Sequence, residues 1–85
     1  MKEPKNPIHP GEILLEDFLK PMGMTQAAFA EKLGWTKAKL NSLIKGKRRI
    51  TADTALDLAD ALKTSPKIWM NLQATWDLDQ AMKGR

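Results

Sequence analysis

At 85 residues the chain has room for one modest core and no second, so a single domain is expected. Hydrophobic residues make up 42% and charged residues 28%, which excludes fibrous and disordered classes, and the lack of cysteine excludes disulfides, thiolate metal sites and cysteine nucleophiles. The net charge of +4 is not spread evenly: Lys37, Lys39, Lys45, Lys47, Arg48 and Arg49 fall in thirteen residues without an acid, leaving 8 basic and 10 acidic residues elsewhere. Such a patch on a mildly acidic body fits a phosphate-bearing partner, with a solvated basic loop as the alternative.

Pro4, Pro7 and Pro10 withhold backbone donors, so residues 1–9 read as an extended N-terminal arm. That segment has no apolar stretch for a signal peptide, and no run elsewhere is long enough to span a membrane. With the missing cysteines, this points to a cytoplasmic protein.

Pro10 suits a first helical position, and Ile13 or Leu14, Leu15, Phe18 and Leu19 make a helical stripe that Pro21 and Gly23 stop. This stripe is denser than one buried face needs, so part of it is available to a protein partner. His9, the only histidine, reads as a turn or capping residue in His9-Pro10-Gly11, since a metal site would lack ligand partners.

Thr25 caps a second predicted helix running to Leu33, with Gly34 at its stop, and Thr36 caps a third ending near Lys45-Gly46. Thr51 caps a fourth, in which Ala55, Leu58, Ala59 and Leu62 give the cleanest apolar periodicity of the chain. Ser65-Pro66 opens a fifth that runs to about Ala81. No β-strand pattern appears, so the fold class is all-α, a five-helix bundle.

The second and third helices, joined by Gly34-Trp35-Thr36, have the dimensions of a helix-turn-helix spanning residues 26–45. With Gln26 as the first position, Phe29, Leu33, Trp35, Leu40 and Leu43 face inward, Ala30 is small at the crossing, and Gly34 takes the turn position. An αα-hairpin would share the apolar spacing but not the basic cluster on its second helix.

Lys37, Ala38, Lys39, Asn41, Ser42 and Lys45 point outward on that helix. Lys37, Ala38 and Asn41 or Ser42 are the candidate base readers: lysine donates to guanine, asparagine pairs with adenine, and a methyl touches thymine. Gln26, Thr36, Lys45, Lys47 and Arg48 are candidate phosphate contacts, and Arg49 either joins them or pairs with an acid such as Asp53. The carboxylate pairs Glu12 with Glu16 and Asp57 with Asp60 read as solvated helix faces rather than acid–base machinery.

Trp69, Leu72 and Trp76 form a stripe on the last helix that either packs on the body or makes a two-fold dimer seam. Helix-turn-helix modules read DNA mostly in pairs, so a homodimer through this stripe is expected. Residues 10–85 then form one DNA-binding domain with a C-terminal dimerisation helix.

Several blocks together resemble a known family: Ile8-His9-Pro10-Gly11-Glu12 with Leu15, Thr25-Gln26, Asn41 to Gly46, Arg49-Ile50-Thr51, and Trp69 to Asp77 reading Trp-Met-Asn-Leu-Gln-Ala-Thr-Trp-Asp. The helix-turn-helix is similar to the Xre or phage-repressor class, and the flanking blocks resemble the HigA antitoxins. Lys37-Ala38-Lys39 departs from the family pattern. The resemblance implies a non-enzymatic antitoxin that represses its own operon on double-stranded operator DNA and neutralises a RelE-like, mRNA-cleaving toxin, with no cofactor. A stand-alone Xre-type regulator and a helical protein-interaction module are the competing readings.

Overall fold

The computed structural model describes residues 8–85, so most of the predicted arm, residues 1–7, lies outside the described residues. Five helices and no strand are present among them. The first, α1, is three consecutive segments: α-helical Pro10–Ile13, π-helical Leu14–Leu19 and α-helical Lys20–Met22. The others are α2 (Gln26–Leu33), α3 (Lys37–Ile44), α4 (Ala52–Leu62) and α5 (Pro66–Lys83).

Contrary to expectation, Pro21 does not stop α1; the helix passes through it and ends at Gly23 in the left-handed conformation. Pro21 cannot donate to Asp17, and its ring would crowd that carbonyl in a regular α-helix. The π segment opens the ladder just before this point, with the Lys20 N–H reaching back five residues to the Leu15 carbonyl. Residues five apart then lie on one face, which is how Leu14 and Leu19 are both fully buried while Leu15 and Phe18 pack beside them.

Side-chain caps start the other helices as their sequences direct: Thr25, Thr36, Thr51 and Ser65 each accept from an amide of the first turn. His9 starts α1 in the same way, its Nδ1 accepting from the Gly11 N–H at 2.9 Å.

The core collects Leu14, Leu19, Phe29, Ala30, Leu40, Leu43, Ile50, Ala55, Leu58 and Trp69. Trp69 is fully buried, its ring 5.4 Å from that of Phe18 and its Nε1 donating to Thr64 Oγ1 at 2.9 Å. Leu72 packs against the same core, and the half-buried Trp76 meets the His9 ring edge-on at 5.2 Å. The stripe expected to form a dimer seam is therefore turned onto the body, and Trp69 has no surface left for a partner. One apolar stripe of α5 is left outside: Ala74, Leu78, Ala81 and Met82 are all exposed.

Candidate nucleic-acid interface

α2 and α3 form the helix-turn-helix. α2 ends at Gly34, whose φ of 75° lets the Trp35 N–H turn back to the Ala30 carbonyl at 2.9 Å. Phe29, Ala30, Leu40 and Leu43 are buried between the two helices and the body, with Leu33 and Trp35 packed on their edge. α1 braces α3 from behind: a Cβ on Gly11 would fall onto the Leu43 carbonyl, so only glycine allows this backbone approach.

With Leu40 and Leu43 inward, Lys37, Ala38, Asn41, Ser42 and Lys45 share the outer face of α3. Lys37, Ala38 and Lys45 are exposed, and Asn41 and Ser42 are half-buried. An eight-residue helix is about 12 Å long, a fit for the major groove. The first turn of α3 is held by Thr36, whose hydroxyl accepts from the Lys39 N–H at 3.1 Å.

Gln26, opening α2, lies beside this face. Its Oε1 accepts from Asn41 Nδ2 at 3.3 Å, which fixes the Asn41 amide and leaves its own Nε2 free to donate. Lys39 stands apart from the other α3 candidates: it leaves the outer face and rests its ammonium 4.2 Å from the Trp35 ring centroid. That indole in turn donates to Asp57 Oδ2 at 3.0 Å, tying the turn to α4.

After α3, Gly46 adopts φ 78°, and the Lys47 N–H turns back to the Ser42 carbonyl at 2.9 Å. Lys47 and Arg48 are exposed just beyond, continuing the basic surface. Arg49 is engaged by an acid, but by Asp77 at 2.8 Å and not by Asp53. The Arg49 guanidinium, with a second hydrogen bond from Gln73, holds the Asp77 carboxyl below the usual carboxylate range. Sequence reasoning missed Gly11, Gln73 and Asp77 as residues that shape this region; Gln73 and Asp77 fall inside the C-terminal block, but the loop residues they hold, Ile50 and Arg49, are more than twenty residues away.

A family profile described as helix-turn-helix matches residues 15–69. Antitoxin HigA-1 of Vibrio cholerae is 40% identical over 77 residues, covering 91% of this chain and 72% of that protein. The chain belongs to the helix-turn-helix family, in its HigA antitoxin branch. These are DNA-binding proteins, not enzymes. Among solved structures, Pseudomonas aeruginosa antitoxin HigA with the higBA promoter matches with a TM-score of 0.89 at 38% identity, over 93% of this chain and 86% of that one. Antitoxin GraA in complex with its operator matches with a TM-score of 0.82 at 43% identity, over 95% and 82%.

Proposed function

We propose that the chain is the antitoxin and autorepressor of a toxin–antitoxin operon, binding operator DNA with α3 in the major groove. The observation that carries this reading is the capped, braced recognition helix whose outer face presents Lys37, Ala38, Asn41, Ser42 and Lys45, on a framework that GraA and HigA share and use on operator and promoter DNA. Lys37, Ala38, Asn41 and Ser42 read bases; Gln26, Thr36, Lys45, Lys47 and Arg48 meet phosphates. Lys39 supports the turn through Trp35.

The partners are double-stranded operator DNA, a RelE-like mRNA-cleaving toxin and a second copy of the chain. Because Trp69 is enclosed in the core, the two-fold seam falls to the exposed Ala74, Leu78, Ala81 and Met82 face of α5. The protein acts in the cytoplasm, where both operator and messenger RNA are found. Among the described residues no helix is long and apolar enough to cross a membrane.

The test is a fluorescence titration of the chain on the duplex upstream of its own gene and on a scrambled duplex of equal length. Selective binding with a steep salt dependence supports the reading, and Asn41→Ala should then cost roughly 1–3 kcal/mol on the operator and much less on the scrambled duplex. Equal loss on both would reassign Asn41 to positioning. Equal, weak binding of the wild-type chain to both duplexes would overturn the repressor reading in favour of a protein-interaction module. Selective binding with no toxin encoded beside the gene would leave a stand-alone regulator.

A further inference from the structure

The loop between α3 and α4 carries exposed Lys47 and Arg48, yet it is gripped from behind by one turn of α5. Gln73 is 2% exposed; its Oε1 accepts from the Ile50 backbone N–H at 2.6 Å and its Nε2 donates to Asp77 Oδ1 at 2.9 Å. The other oxygen of Asp77 takes the Arg49 guanidinium at 2.8 Å. At the near end of the loop, Gly46 lies beside His9, where a Cβ would make ordinary contact with the imidazole at 3.6 Å, and that ring rests on Trp76. Three separate sequence blocks, around His9, Arg49 and Gln73 to Asp77, thus close on the two ends of one basic loop.

An anionic carboxylate beside a phosphate-binding loop weakens the attraction for DNA unless it orders the loop. We infer that Asp77 is a positioning residue for DNA binding: through Arg49 and Gln73 it holds the 46–50 backbone so that Lys47 and Arg48 meet successive phosphates. A single exposed ion pair contributes little on its own. Asp77 differs because both its oxygens are used, one on a buried amide that is itself fixed to the Ile50 backbone. With the brace intact, the loop's conformational freedom is lost on folding and not on DNA binding. The inference rests on the proposed phosphate roles of Lys47 and Arg48.

The experiment is a salt series of fluorescence anisotropy titrations, on the upstream and scrambled duplexes, with the full chain and its Lys47→Ala, Asp77→Asn and Arg49→Gln variants. Lys47→Ala tests the underlying reading and should lower the log–log salt slope by about 0.9. Asp77→Asn should weaken both duplexes alike, by about tenfold, and lower the slope as well. A partly unfolded variant would shrink the active fraction and leave the slope alone, so the slope separates positioning from folding. Arg49→Gln, at an exposed position, breaks the same pair without touching Gln73 and should reproduce the loss. The double variant should bind no more weakly than the weaker single one. A reduced slope for Lys47→Ala with wild-type or tighter binding by Asp77→Asn would overturn the positioning role alone, leaving Asp77 as a brake on Arg49 or a surface pair. An unchanged slope for Lys47→Ala would overturn the phosphate reading and the inference with it.

Discussion

Gly11 touches α3 where backbone meets backbone, and an added methyl would land on the Leu43 carbonyl and 2.9 Å from the Ile44 Cα. Neither atom is a flexible side-chain end, so relief requires moving α1 away from the recognition helix. Gly11→Ala should therefore destabilise the fold by roughly 1–3 kcal/mol, despite alanine's better helix propensity. A melt superimposable on the wild type would show that α1 shifts freely. His9, two residues earlier, sets a pH limit on the same contact. Its Nδ1 accepts from the Gly11 N–H and so must be unprotonated. Burial pushes the imidazole below its ordinary value of 6.5, while the Asp77 and Glu12 carboxylates pull it back up. A histidine whose folded value lies below its unfolded one favours folding above pH 6.5, and that contribution is lost as pH falls through the lower folded value. Urea midpoints should thus fall from pH 7.5 to 5, and less steeply in His9→Asn, which keeps a capping acceptor that does not titrate. Parallel curves would remove His9 from the account.

Four helices close with the same reversed hydrogen bonds, the residue after the turn reaching back five positions: Met24 to Leu19, Trp35 to Ala30, Lys47 to Ser42 and Thr64 to Ala59. Glycine occupies the left-handed position in the first three, but in α4 it is Lys63, at φ 59°. Lys63→Gly should relieve that strain and raise stability by about 0.5–1 kcal/mol, the backbone gain exceeding the added freedom of the unfolded chain. A lower urea midpoint would mean that the lysine side chain contributes more than its backbone costs. These element ends are also where the sequence was most legible. Thr25, Thr36, Thr51 and Ser65 act on amides two or three residues away, so their roles can be read locally. The outer face of α3 was legible for a similar reason, since the inward Leu40 and Leu43 fix which neighbours point out. The π segment was not, because proline reads as a stop unless the preceding turn is known to widen. For Trp69, Leu72 and Trp76 the sequence leaves two uses open, packing on the body or a two-fold seam, because the periodicity of one helix does not say which neighbour covers it; folding turns all three onto the body. For Arg49 the sequence offers a phosphate or an acid such as Asp53, whereas folding supplies Asp77 from a helix packed behind its loop.

At the scale of the whole molecule, one chain offers one recognition helix of eight residues on a body 39 Å in its longest dimension. Few bases lie within reach of that helix, and operators read by such modules carry two half-sites about 34 Å apart. The proposed second copy supplies a helix for the other half-site, and its proposed seam is the exposed face of α5. Leu78 and Met82, at 63% and 64% exposure, stand one helical turn apart, flanked by Ala74 and Ala81, which let a second helix approach closely. Replacing both Leu78 and Met82 with glutamate leaves helix propensity nearly unchanged and sets like charges opposite each other across a two-fold axis. The double variant should sediment as a folded monomer at concentrations where the wild type is a dimer. Operator affinity should fall at least tenfold, while single-site binding to random duplex changes little, because the linkage between half-sites is what is lost. Trp76→Ala separates the two sides of α5: it removes the ring on which His9 rests and should lower the melting temperature without dissociating the dimer. If the glutamate variant instead remains an intact dimer with full operator affinity, the two-fold axis lies elsewhere.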